Sequence, residues 1–340
     1  MKKKTYLIVM ITIAAVCLIL CTFFGSVNIT LGETLKILLN KFFGLFKESV
    51  ASYGTKVTII WKVRFPRSLL AFIVGGTLAI CGAVYQALFK NPMADPYVLG
   101  ISSGAAFGAT IGILFDFADS LFGLNATASL AFAGSILAVF FVYGIAKVGR
   151  NAQLTGLLLA GTAVSQFLSA VISVLMLYSG SEMRQVYYWT LGSFNGKGWS
   201  QIAVVCPYVI IGLVLIRVFS KDMDIIMLGD DAAARYGIQV EKVKRYLFGI
   251  TALMMAACVS VSGIIGFIGL VAPHVVRLFT GPRHNKLLGA SFLFGGTLLM
   301  LCDTTARSFV KNELPVGIVT AMIGAPFFLY LLRKRRTEVM

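Results

Sequence analysis

Residues 64–112 read RFPRSLLAFIVGGTLAICGAVYQALFKNPMADPYVLGISSGAAFGATIG. Two apolar runs flank a short polar turn, NPMADP, and each run is close to the length that crosses about 30 Å of hydrocarbon. The second run places Gly100, Gly104, Gly108 and Gly112 four residues apart, on one helical stripe. In lipid, helices gain little by hiding apolar surface from one another, so such a stripe signals close backbone approach to a neighbour. The stretch predicts a packed bundle of membrane helices.

Outward from it the same pattern continues. The chain is 58% hydrophobic and 13% charged over 340 residues, too little polar surface to cover a soluble core of that size. Apolar runs predict about ten spans, at 6–27, 66–88, 96–115, 126–147, 153–178, 201–219, 245–262, 264–280, 287–306 and 315–332. The chain reads as an all-α polytopic membrane protein, with residues 1–340 forming one transmembrane domain. The first run has the charge layout of a secretory leader, but its length and the absence of a small-residue exit predict an uncleaved anchor. Bulky Leu18-Ile19-Leu20 before Cys21 argues against a lipoprotein site. All six cysteines lie in apolar runs without a C-x-x-C pair, so they read as small buried hydrophobes, with no metal role.

The formal net charge is +16. In a membrane protein this reflects cationic residues collected on the cytoplasmic side, and an even span count puts Lys2–Lys4 and Arg333–Arg336 there together. The outer segment between Asn28 and Arg67 breaks that rule with seven basic residues. External loops are expected at about 28–65 and 179–200. The first is long enough for an amphipathic helix on the outer surface through Leu31, Leu35, Leu38 and Phe42. The second carries Tyr187, Tyr188 and Trp189 like an interfacial belt. The loop at about 221–245 has the composition of a soluble docking surface. Spans two to five and seven to ten form four-helix blocks of opposite sense, which suits a pathway at their interface.

Motifs narrow the function. Asp230-Asp231-Ala232-Ala233 leads through Arg235 and Tyr236 to Gly237, a low-profile helix followed by a turn that another protein could grip. Asn91-Pro92 and Asp95-Pro96 make a rigid turn at the mouth of two spans, and Pro273-His274 is expected to break the eighth span similarly. His274 has no second ligand at metal spacing, so it reads as structural. Asp303 and Arg307, four apart, can pair on one helix face. The segment Gly192–Gly198 imitates a phosphate loop but is one residue short and lacks the Ser/Thr after Lys197. Nucleotide hydrolysis must come from another chain, and no catalytic residue is identified. Nor do the spans carry the chains of carboxylates or lysines that ion-coupled carriers use, although a secondary transporter remains the alternative from another class.

Taken in order, Arg64-Phe65-Pro66-Arg67, Asn91–Pro96, Leu99–Gly104, Gly263–His274, Asp303–Arg307 and Glu313–Thr320 resemble a permease subunit of the FecCD family of ABC importers, which carry iron chelates, haem and vitamin B12. The resemblance implies a type II importer architecture: a homodimer of ten-span subunits around a central path. It also implies two cytoplasmic ATPases, which bind ATP and Mg, and an external binding protein; this chain itself would bind no cofactor. The Asp231–Gly237 loop matches the family's coupling helices. Arg64, Arg67 and Arg307 match external arginines that meet carboxylates of the binding protein, a role that suits guanidinium chemistry. Asn91, Pro92, Asp95 and Pro273 are the candidate gate, and Ser102, Ser103, Gly161, Thr162 and Ser165 the candidate path. Ferric siderophore is the expected cargo, with haem and cobalamin as alternatives.

Overall fold

In a computed structural model describing residues 5–25, 27–115, 125–148, 151, 152, 154–180, 182–308 and 313–339, helices account for most of the described residues. They begin with α1 (Thr5–Phe23), α2 (Leu31–Phe43), α3 (Lys47–Ala51) and α4 (Thr55–Thr58), the last running through a π turn (Ile59–Arg64) into α5 (Phe65–Leu88). A 3-10 turn (Pro96–Leu99) precedes α6 (Ile101–Leu114), followed by α7 (Ala126–Ala146), α8 (Leu154–Leu177) and α9 (Glu182–Thr190). After α10 (Trp199–Val218) come α11 (Ser220–Ile226), α12 (Asp230–Arg235), α13 (Val240–Ser262), α14 (Ile268–Thr280), α15 (His284–Ser308) and α16 (Val316–Val339). A two-residue bridge pairs Lys147 with Ala152 and Val148 with Asn151.

Among the described residues, seven helices are long and apolar enough to span a membrane, and α6, α14 and the first part of α16 are shorter apolar helices. Together they supply the ten spans expected of this multi-pass membrane protein. The pivot is α5, whose most apolar window is 83% buried. It meets α15 glycine against glycine: a Cβ on Gly75 would lie 2.4 Å from the Gly295 carbonyl oxygen. Small residues let these two backbones touch where lipid supplies no other drive.

The glycine stripe does the same work between α6 and α7. A Cβ on Gly108 would stand 2.0 Å from the Leu130 oxygen, and one on Gly104 2.3 Å from the Gly134 oxygen. Gly112 abuts Thr127, whereas Gly100 caps the helix start in a left-handed conformation at φ +76°. The blocks α5–α8 and α13–α16 grip each other reciprocally: α5 reaches α14 and α15, and α13 reaches α6 and α7. Inverted blocks produce this exchange of contacts.

At the end opposite the termini, Thr30 and Glu33 form a capping box that starts α2, satisfying two orphan donors at once. The expected apolar face of α2 is only partly seated: Ile37 and Leu38 are buried, while Leu31, Leu35 and Phe42 are exposed. α9 likewise turns part of the aromatic loop into helix, with Tyr187 and Tyr188 exposed and Val186 buried.

Candidate translocation path and coupling surface

Two interruptions meet at the centre of the bundle. One lies between α5 and α6, the other at Gly263–Phe267 between α13 and α14. In the first, the Asp95 carboxylate accepts the Tyr97 amide at 2.8 Å and so caps the Pro96–Leu99 turn. The Asn91 side chain accepts the Met93 amide at 3.0 Å. The Tyr97 hydroxyl then donates to the Ile265 carbonyl at 3.2 Å in the second interruption and receives the Ile265 amide at 3.4 Å. Irregular backbone at membrane depth must find partners inside the protein, and here each interruption satisfies the other. Asn91 is exposed, and Pro92 and Asp95 are half-buried beside it.

Pro273 does not break the eighth span. It sits buried inside the continuous α14, and the chain unwinds several residues earlier, where Gly263 (φ +70°) and Phe267 (φ +69°) are left-handed. The reason lies in the carbonyl that Pro273 leaves without an N–H donor, that of Gly269. A Cβ on Gly82 would fall 1.6 Å from this oxygen, so glycine admits it against α5. The imitation phosphate loop has a structural part here too: Gly192, at φ +70°, would place a Cβ 2.3 Å from the Ile264 oxygen, sealing the same interruption.

Of the candidate path residues, three hold α8 to α6 and to the Pro96–Leu99 turn before it. Ser103 is buried and bonds Ser165 Oγ at 3.0 Å. Gly161 is buried because a Cβ would strike the Val98 oxygen at 2.0 Å. They are packing residues in this subunit and do not form an open wall, while Ser102 is half-buried. Thr162 alone of the set is exposed, and it belongs to a longer pattern. Thr155, Thr162, Gln166, Ser169 and Ser173 are all exposed along α8. At 100° per residue they fall in one arc, opposite buried Leu157 and Ala160. Thr162 and Ser173 return their hydroxyls to the carbonyls four residues back, at 2.9 Å each. Gln166 has no such outlet, and an unpaired amide in hydrocarbon costs about 2 kcal/mol or more. The stripe therefore faces water or a second protein surface. The spacing was readable in the sequence; what hid it was the strongly apolar composition around it.

At the termini end, α11 and α12 stand out as a shelf. Asp230 opens α12 and bonds Lys244 of α13 at 2.7 Å and Lys90, just beyond α5, at 2.8 Å. Burial alone would raise the Asp230 carboxyl, but the two lysines hold it below its ordinary value. Ala233 is fully buried under the shelf, whereas Asp231, Arg235 and Tyr236 are exposed. Gly237 turns the chain away at φ +81°. Leu228, Gly229, Asp231, Ala232, Arg235 and Tyr236 bound an open groove of about 610 Å³. His284 anchors α11, its ring Nδ1 and backbone amide meeting Asp224 Oδ1 at 2.6 and 2.8 Å.

The three arginines expected to reach outward are buried instead. Arg67 is 4% exposed and forms a two-pronged pair with Asp303, Nε to Oδ2 at 3.0 Å and Nη2 to Oδ1 at 2.9 Å, plus Nη1 to Glu313 at 2.7 Å. Arg64 donates to the carbonyls of Phe23 at 2.7 Å and Val27 at 2.5 Å, and Arg307 donates to that of Cys21. Carbonyls at the end of α1 have no intrahelical donors, so guanidinium groups supply them. The Asp303–Arg307 pair is loose at 4.0 Å, because Arg67 occupies the carboxylate. Arg64 and Arg307 bolt α1 to the bundle, while Arg67 ties α5 to α15 and Glu313, and the donors of all three face inward.

The chain matches the FecCD transport family over residues 12–334. It is 42% identical to the cobalamin import permease of Halobacterium salinarum over 84% of this chain and 76% of that protein. Against the hemin permease of Yersinia pestis identity is 38%, covering 82% and 84% of the two chains. For the iron(3+)-hydroxamate permease of Bacillus subtilis it is 33%, covering 98% and 99%. A metal-chelate type ABC transporter solved in an inward-facing conformation superposes with a TM-score of 0.83 and 26% identity, over 97% of this chain and 99% of that one. Ten apolar helices, two interlocked interruptions and these matches together make the chain a member of the FecCD transport family, a permease of the ABC importers for metal chelates.

Proposed function

We propose that two copies of this permease enclose a path between their α8 stripes, through which a partner ATPase pair drives a ferric siderophore inward. Both termini and the α11–α12 shelf lie in the cytoplasm, and a binding protein delivers cargo at the opposite end. The observation that carries the reading is the Asp230 bridge. One carboxylate ties a projecting helix to Lys90, the residue before Asn91 in the gate turn, and to Lys244 at the foot of α13. A pull on α12 thus reaches the mouth of α5–α6 and the helix leading to the second interruption. ATP and Mg would sit wholly on the ATPase, gripping the exposed face of Asp231, Ala232, Arg235 and Tyr236, with Gly237 as the turn.

Cobalamin is the second reading, favoured by the 42% identity to the halobacterial cobalamin permease. The two are separated by reconstituting the permease with its ATPase and binding protein in liposomes and following labelled ferric siderophore and labelled cobalamin. ATP-dependent accumulation of the first, unaffected by excess of the second, is expected. Uptake driven by an ion gradient without ATPase would defeat the reading altogether.

A further inference from the structure

The segment between Asn28 and Arg67 breaks the charge rule of the spans, and the structure accounts for only part of its seven basic residues. Arg64 and Arg67 are buried clamps, and Lys56 pairs with Glu33 at 2.6 Å. Lys36, Lys41, Lys47 and Lys62 are left with no carboxylate partner in any ion pair among the described residues. Glu48 is the one carboxylate of the segment outside such a pair.

Between those lysines lies an apolar tip. Phe42, Phe43, Leu45 and Phe46 are all exposed, Phe43 at 74%. The turn presenting them is built tightly: Gly44 is left-handed at φ +72°, the Asn40 amide donates to the Leu45 carbonyl at 2.8 Å, and Phe46 is left-handed at φ +59°. A bulky residue rarely takes that conformation unless its surroundings impose it. The depth of the tip is set by its neighbours. The Phe42 ring lies 5.4 Å from Trp61 and 5.6 Å from Phe65, and Trp61 lies 5.0 Å from Trp199, which opens α10. Tryptophans at span ends mark the headgroup level. α2 also packs beside α1, which turns Leu7, Ile8, Ile11 and Leu20 outward along the flank of the bundle.

We infer that residues 31–51 form a membrane anchor, whose aromatic tip enters the leaflet at this end while Lys36, Lys41 and Lys47 gather anionic phospholipid headgroups. Aromatic rings level with the span ends, beside lysines that lack a carboxylate partner and of which Lys36 is held over the Phe46 ring at 6.0 Å, suit that surface; an acidic protein would find the charges but would leave the tip in water.

The test uses full-length protein carrying Phe43→Trp in nanodiscs of phosphatidylcholine and phosphatidylglycerol, with bromine on the acyl chains of one lipid at a time. The added tryptophan signal, over that of the parent chain, should fall roughly twofold with either brominated lipid. It should fall further with brominated phosphatidylglycerol, a preference that Lys36→Gln/Lys41→Gln/Lys47→Gln removes while the chain retains its thermal midpoint. Equal quenching by both lipids would refute the headgroup selection. A signal blind to both, but altered by the binding protein or by a second permease copy, would assign the face to a protein and end the proposal.

Discussion

Arg67 illustrates how a charge near a span end can carry structure instead of recognition. Its guanidinium and the Asp303 carboxylate, 1% exposed, neutralise each other away from water. Removing one partner of such a buried pair costs about 3–5 kcal/mol, since the other is left charged and dry. Arg67→Ala is therefore expected to lower the thermal midpoint of the solubilised permease by several degrees. Glu313→Gln, whose side chain is 38% exposed, should cost less than about 1 kcal/mol. Equal, small effects would mean that Asp303 is solvated. Gly82 carries a separate prediction. The 1.6 Å approach of a Cβ to the Gly269 oxygen means that Gly82→Ala must push α5 from α14, at about 1–3 kcal/mol or more, read in the same melting assay. Neither residue's environment was legible from sequence. A motif shows that arginine is present, but which carboxylate lies beneath Arg67 depends on how α15 packs against α5, 236 residues away in sequence.

Among the elements, the long spans were readable because uninterrupted apolar runs have one solution in lipid. The Asn91–Pro96 turn was readable too, from its prolines and polar residues; the unwinding through Gly263–Phe267 was not, because that segment is as apolar as the helices around it and Pro273 is a more conspicuous breaker. Only packing shows that the proline's spare carbonyl has a home against Gly82. The α11–α12 shelf was legible as a docking surface, whereas its attachment through Lys90 needed the fold. Tyr236, 73% exposed, makes no contribution to the core. Tyr236→Ala should leave the permease's melting unchanged yet cut stimulated ATPase coupling tenfold or more, equivalent to about 1.4 kcal/mol of lost interface; retained coupling would place the grip elsewhere. The pH behaviour of the shelf follows from Asp230. Its carboxyl is held low, so the bridge is intact above the ordinary carboxylate range and weakens only as pH falls below it. Transport should show no inflection from this group between about pH 5 and 8, and Asp230→Asn at neutral pH should reproduce the acid defect.

At the scale of the whole molecule, the proposed path along the polar stripe of α8 would separate a lone subunit from a working transporter. Gln166→Leu should leave the solubilised subunit's stability within about 0.5 kcal/mol, as for an exposed site, while changing the rate of cargo passage in the reconstituted complex. An unchanged rate would remove α8 from the path. The phenol of Tyr97 carries a consequence for motion. Because it pins the two unwound segments together, the inverted blocks within one polypeptide cannot scissor apart without breaking hydrogen bonds in a dry interior. In the two-copy assembly proposed above, each copy would then behave as a stiff lever, and the opening and closing of the conduit would fall to the seam between neighbours, where rigid bodies tilt against each other and little inside them has to refold.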